Sequence, residues 1–117
     1  VRPALVAGGG EKKTLRLVAQ YADACNLYGT PAVVGAKLAI LQQHCADLGR
    51  DYAAIEKTTL SSADLRPGKM SPRDLLALCK SLAALGVQHA LFNMPNVEEI
   101  TPIETFKREI IPAVADL

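Results

Sequence analysis

The chain has 117 residues, of which 50% are apolar and 4% aromatic, and its formal net charge is +1. This length suffices for one domain with a sizeable core, so we expect a single unit over residues 1–117. The balanced charge argues against a nucleic-acid partner, and the apolar content argues against a disordered chain. No apolar run approaches the roughly 20 residues of a membrane span, so we expect no membrane contact.

Two strand-helix units are predicted in the first part of the chain. Residues 3–7 predict a strand; three glycines follow, and a helix is then indicated by apolar residues at helical spacing: Leu15, Val18, Ala19 and Ala22. Ala24–Tyr28 predicts the second strand. Thr30 and Pro31 are typical of a helix start, and Gly49 of a helix end. The apolar stripe of that helix is Val34, Leu38, Leu41, Cys45 and Leu48.

Two further units follow. Residues 56–61 predict the third strand, and residues 71–74 form a capping signature before a helix lined by Leu75, Leu78, Cys79, Leu82 and Leu85. Residues 87–93 predict the fourth strand. Residues 101–104 begin a last helix, which Pro112 should kink or end early. Its expected inward residues are Ile103, Phe106, Ile110 and Val114.

Alternating strands and helices predict an α/β fold with parallel pairing through right-handed crossovers. Four βα units are half of a (βα)8 TIM barrel, which needs roughly 250 residues when complete. A flavodoxin-like open sheet is the alternative, because periodicity does not distinguish an open sheet from an arc of a closed one. In both folds, ligands bind where the strands end in the carboxyl direction. The segments expected there are 8–10, 28–30, 61–69 and 93–96.

Gly8, Gly9 and Gly10 lie between the first strand and the first helix. Glycines let a ligand approach the main chain, and the first turn of a helix offers free N–H groups to an anion. Walker and dinucleotide-binding loops are both excluded, because Lys12 and Lys13 stand where those motifs require glycine. Two interpretations remain open: a phosphate site formed by the N–H groups through Glu11, or a tight turn.

Six segments carry a resemblance to a known family. Residues 4–16, with three glycines and Glu-Lys-Lys-Thr-Leu-Arg, and residues 21–26, Tyr-Ala-Asp-Ala-Cys-Asn, resemble the carboxyl-terminal half of luciferase-like monooxygenase superfamily proteins. Later segments of the same family are resembled by residues 48–51, 55–58, 85–89 and 106–112. The chain looks most similar to its deazaflavin-dependent oxidoreductases.

This resemblance implies a TIM barrel that passes a hydride between a flavin or deazaflavin and a small organic substrate. It implies coenzyme F420 as the cofactor, with FMN as the alternative. The cofactor phosphate is expected at the glycine loop, Gly8 to Gly10, with the next loop as its neighbour: Tyr28, Gly29 and Thr30. The family's catalytic residues lie in the amino-terminal half, which this sequence does not contain. No catalytic residue is therefore assigned, and we expect the chain alone to be inactive.

Several side chains have both a functional and a structural interpretation. Asn26 alternates with Cys25 and Leu27, so it is expected either to point into the barrel toward a ligand or to be a buried, satisfied amide. Lys12 and Lys13 either screen a phosphate or are solvated.

Arg66 and Lys69 follow the third strand, where they either meet an anionic substrate or cofactor tail or belong to a solvated loop. His44 is expected to be exposed, and His89 has no acidic neighbour in sequence, so neither suggests a metal site.

The oligomeric state and cellular location follow from two further observations. Four strands leave two open edges and no opposing layer for Leu5, Leu27 and Leu91, which predicts a homo-oligomer. A self-associating βα module that binds phosphate ligands without catalysis is the alternative function. The odd cysteine count predicts reduced thiols and a cytoplasmic protein. Because the chain starts at Val1 without a Met, it is expected to be part of a longer one.

Overall fold

A computed structural model describes residues 4–8, 10–96 and 98–117 of the chain. Four parallel strands form one sheet in chain order: β1 Leu5–Ala7, β2 Ala24–Tyr28, β3 Glu56–Ser62 and β4 His89–Asn93. The predicted bounds of β2 are confirmed, and β4 begins two residues later than predicted. The predicted start of β1, Pro3, lies outside the described residues.

Helices follow each strand. They are α1 Thr14–Tyr21, α2 Pro31–Leu48, α3 Pro72–Ala84, α4 Ile100–Thr105 and α5 Ile111–Val114. A 3-10 turn at Tyr52–Ala54 precedes β3, and a π turn at Phe106–Ile110 joins α4 to α5. None of the described helices is both long and apolar enough to cross a bilayer.

The predicted helix ends of α2 and α3 are confirmed. Thr30 Oγ1 accepts a hydrogen bond from the N–H of Val33, and Gly49 ends α2 with φ +70°. Ser71 and Asp74 form a reciprocal capping box, in which each side chain accepts from the other's N–H at 3.1 Å. These contacts satisfy N–H groups that the first turn leaves without helical partners.

The last helix differs from the prediction in its register. Ile103 is 47% exposed, so its expected inward position is wrong, and Pro102 is buried in its place. In the π turn, the N–H of Ile111 donates to the carbonyl of Phe106, five residues back. A π turn holds more residues than an α turn, so positions spaced by four share a face here. The helix continues through Pro112 to Val114.

The helices cover one face of the sheet, here called the outer face. Leu15 of α1 and Leu41 of α2 share a buried cluster with Cys25 and Leu27 of β2. On β4, Phe92 lies on the same face and packs against Phe106, with ring centroids 6.0 Å apart. The hydrophobic core therefore lies between the sheet and the helices.

The opposite face, here called the inner face, has no covering layer among the described residues. Leu5 is 64% exposed, Tyr28 50% and Leu91 46%. Leu27, which was expected beside Leu5 and Leu91, is instead buried on the outer face. Residues alternate along a strand, so Leu27 cannot share a face with Asn26 or Tyr28.

The strand order decides between the two predicted architectures. A flavodoxin-like sheet reverses its order at a switch point and carries helices on both faces. This sheet runs β1-β2-β3-β4 without reversal, and its described helices pack on one face. The flavodoxin-like alternative is therefore wrong, and the chain forms an arc of a parallel barrel.

Part-buried hydrogen bonds lie at the amino-terminal edge of the sheet. The guanidinium of Arg50 donates to the carbonyls of Ala19 at 3.3 Å and Ala22 at 2.8 Å, at the end of α1. Lys57 Nζ donates to the carbonyl of Tyr52 at 2.7 Å. These cations satisfy main-chain acceptors, which indicates a structural role for this edge.

Candidate functional site at the carboxyl edge of the sheet

The glycine loop turns sharply after β1. Gly8 has φ +115°, which favours glycine, and its N–H donates to the carbonyl of Asn26 at 3.2 Å. A Cβ on Gly10 would lie 2.9 Å from Thr14 Oγ1. Gly9 lies outside the described residues. Close packing against Thr14 therefore explains one glycine, and the backbone conformation explains another.

Helix α1 does not begin directly after the glycines. Glu11 lies in a turn, and the helix begins at Thr14 after an N-cap, Lys13, whose side chain makes no capping bond. The N–H of Leu15 donates to the carbonyl of Gly10 at 2.9 Å. Other N–H groups in the first turn of α1 have no helical partner. The N-terminus of α1, which attracts anions, therefore faces the glycine loop.

Two side chains of α2 hold Glu11. The ammonium of Lys37 lies 3.7 Å from Glu11 Oε1, and His44 Nε2 lies 2.8 Å from the Glu11 carbonyl, which can only accept. His44 is half-buried, so its predicted exposure is wrong. No local pattern along the chain indicates this contact, because 33 residues separate the two partners.

The next loop follows β2 directly. Tyr28 is half-exposed on the inner face, and Thr30 caps α2. Gly29 has φ +117°, and a Cβ there would lie 3.1 Å from Val33 Cγ1. After this tight turn, residues 29–31 border a groove whose other wall comes from the end of β3, Leu60, Ser61 and Ser62.

Asn26 lies on the inner face, one strand away from the glycine loop. It is buried, and its Oδ1 accepts a hydrogen bond from Thr58 Oγ1 at 2.7 Å. No described residue accepts a hydrogen bond from Asn26 Nδ2. Thr58 lies directly opposite Asn26 in the sheet register. Sequence reasoning missed Thr58, because only strand pairing places it beside Asn26.

The loop after β3 contains an ion pair between two of its own residues. Arg66 donates to both carboxylate oxygens of Asp64, at 2.8 and 2.6 Å. These hydrogen bonds lower the pKa of Asp64 to about 2 and raise the pKa of Arg66. Arg66 is therefore already paired, which favours the structural interpretation of this residue over contact with an anion. Lys69 is exposed in the same loop.

Among the described residues, neither His89 nor a candidate metal site lies at the carboxyl edge. His89 is the first residue of β4, at the amino-terminal edge, and its Nδ1 lies 4.0 Å from Glu56 Oε1. It thus has an acidic neighbour in space that the sequence did not reveal. Within the described part of the chain, no group of His, Cys, Asp and Glu side chains could hold a metal ion.

Comparison with solved structures supports the half-barrel fold. Neither a family model nor a curated protein matches this chain. An F420-dependent secondary alcohol dehydrogenase, solved with an F420-acetone adduct, aligns over 99% of this chain with a TM-score of 0.76 and 17% identity. The chain forms half of a TIM-like barrel. It spans 50% of that dehydrogenase.

A second solved structure gives the same result. The coenzyme F420-dependent tetrahydromethanopterin reductase from Methanopyrus kandleri aligns over 94% of this chain with a TM-score of 0.73 and 12% identity. This chain again spans 50% of the enzyme. The predicted half-barrel fold is confirmed.

Proposed function

We propose that the chain is the cofactor-phosphate-binding half of a deazaflavin-dependent oxidoreductase, with coenzyme F420 as the cofactor and FMN as the alternative. The observation that carries the proposal is a glycine loop at the carboxyl edge of a half barrel that resembles two F420-dependent enzymes. In parallel barrels, ligands bind at this edge. A bound deazaflavin supplies a ring that gives or accepts a hydride.

The residues at this edge fit a phosphate-bearing cofactor. Gly8, Gly9 and Gly10 carry no side chain that would obstruct a phosphate, and Gly8 turns the chain at φ +115° ahead of α1. The main chain of Glu11 and the loop from Tyr28 to Thr30 complete the proposed binding surface. Glu11's own carboxylate lies near Lys37, which reduces its repulsion of an anion.

The inner face supports the proposal that the chain alone is inactive. Among its described residues, a carboxylate and an imidazole occur at Glu56 and His89, and both begin their strands at the amino-terminal edge. Proton transfer needs a group within hydrogen-bond reach of the reacting atom. Tyr28 lies at the carboxyl edge, but the family resemblance assigns the proton-donating residues to the amino-terminal half of the barrel. We therefore expect no reduction of F420 by secondary alcohols with this chain alone.

Fluorescence titration of the chain with F420, and separately with FMN, tests the cofactor site. Gly10→Val should weaken binding about tenfold or more, because a side chain blocks main-chain approach and displaces Thr14. Gly86→Asn is the matched control: Gly86 has φ +89° and open space around it, and Asn tolerates this conformation. Unchanged affinity in Gly10→Val would contradict the proposed site.

The inner face, which no described residue covers, favours self-association. Self-association in turn supports the alternative function, a phosphate-binding module without catalysis. Two copies related by a two-fold axis would pair the open edge of β1 with that of β4 and supply eight strands, enough for a filled barrel. Sedimentation equilibrium should show a dimer, and Leu91→Lys should weaken it by charging the enclosed face. A folded wild-type monomer at micromolar concentration would contradict self-association.

A further inference from the structure

The hydrogen bond between Thr58 and Asn26 has a defined direction. Thr58 Oγ1 donates to Asn26 Oδ1 at 2.7 Å, the usual length for an O–H···O bond. The other acceptor near the hydroxyl, the carbonyl of Cys25, lies at 3.4 Å. The single proton of Thr58 Oγ1 is therefore given to Asn26 Oδ1.

This direction determines what Asn26 offers to the inner face. With Oδ1 engaged by Thr58, the amide is held with Nδ2 as its free end, and no described residue accepts from it. Asn26 is 8% exposed, and Nδ2 is not among the buried side-chain atoms without a partner, so this nitrogen is the part of the side chain that reaches the open inner face. The arrangement suits a ligand that brings a hydrogen-bond acceptor.

We propose that Thr58 is a positioning residue that holds Asn26 so that Nδ2 donates to a carbonyl oxygen of a bound deazaflavin or flavin ring. This role rests on the proposed function. Thr58 itself does not touch the cofactor; it prevents the amide from rotating and presenting Oδ1 instead. A ring carbonyl would be attracted to the N–H group and repelled by the oxygen.

The neighbouring threonine provides a matched control. Thr59 has the same side chain, is 1% exposed and points to the outer face, where no described residue forms a hydrogen bond with its Oγ1. Thr58→Val and Thr59→Val thus make the same chemical change one residue apart, on opposite faces of one strand. Thr58→Ser keeps the hydroxyl and serves as the conservative variant.

Titration of the 117-residue chain with F420, followed by its fluorescence, tests the role. Thr58→Val should raise the Kd about fivefold and shift the emission maximum of bound F420, whereas Thr58→Ser and Thr59→Val should bind like wild type. In an Asn26→Ala background, Thr58→Val should have no further effect on the Kd, because Thr58 acts through Asn26. Thermal melts of each variant establish that it is folded.

The outcomes separate this role from the proposed function. A wild-type chain that binds neither F420 nor FMN overturns the proposed function and, with it, the role of Thr58. Binding by wild type with an unchanged Kd in Thr58→Val overturns the role alone. An equal loss in Thr59→Val, or an undiminished effect of Thr58→Val in the Asn26→Ala background, shows a general disturbance of β3 and also overturns it.

Discussion

The outer and inner faces of the same four strands differ in what covers them. On the outer face of β2, Cys25 and Leu27 are fully enclosed by helices, whereas on the inner face Tyr28 is half-exposed. The strands alternate between the two environments at every residue. Burial of apolar surface stabilises the outer face, and the inner face holds side chains that are available to a ligand or a second layer. The core thus lies on the outer face, and the ligand contacts that we propose lie on the inner face.

Two leucines give the sharpest test of this comparison. Leu27→Ala should lower the free energy of unfolding by about 2–5 kcal/mol, because it leaves a cavity in the core. Leu91→Ala, at a position 46% exposed, should cost less than about 1 kcal/mol in the monomer. Urea denaturation at low protein concentration measures both. Equal losses would mean that the inner face is covered in the isolated chain.

The adjacent threonines should show a smaller difference. Thr58→Val should cost about 1 kcal/mol of stability, because the buried oxygen of Asn26 loses its donor. Thr59→Val should be neutral or stabilising by up to about 1 kcal/mol, since it removes a buried hydroxyl that has no hydrogen-bond partner among the described residues. Thermal denaturation compares the two variants. A larger loss for Thr59→Val would break the assignment of polar contacts to the inner face.

The smallest expected effect is a pH dependence from the outer face. Burial raises the pKa of the Cys25 thiol from 9.0 to about 11. The unfolded chain therefore loses this proton first, so the stability that the buried neutral thiol contributes is present below pH 9 and declines as pH rises toward 11. Cys25→Ala should flatten this decline in urea titrations at successive pH values. If the stability of Cys25→Ala declines with pH as steeply as that of wild type, other groups cause the decline.

Local signals in the sequence predicted much of the fold. The bounds of β2, the Thr30 cap and the Ser71 capping box are set by residues close to one another along the chain. Both caps depend on contacts between residues three positions apart, and the ends of β2 are marked by the turn residues beside them, so sequence reasoning can locate them. The glycine loop was located correctly at the carboxyl edge, although α1 begins only at Thr14.

Most of the errors originate in contacts between distant residues. The burial of His44 depends on its contact with Glu11, 33 residues away, whereas the face of Leu27 follows from strand alternation with Asn26 and was predicted wrongly on local grounds. The register of Ile103 depends on a π turn, which the 3.6-residue period does not anticipate. The partner of Asn26 depends on strand register, which pairs it with a residue 32 positions away.

The sequence by itself determined the α/β alternation, the number of strands and the positions of the turns, because these follow from periodicity and from glycine, proline and capping residues. Only the tertiary structure decided that the sheet is an arc of a barrel with one bare face, because strand order and helix placement arise from packing between units. It also decided the orientation of the Asn26 amide. That orientation requires Thr58, which the fold alone brings within 2.7 Å.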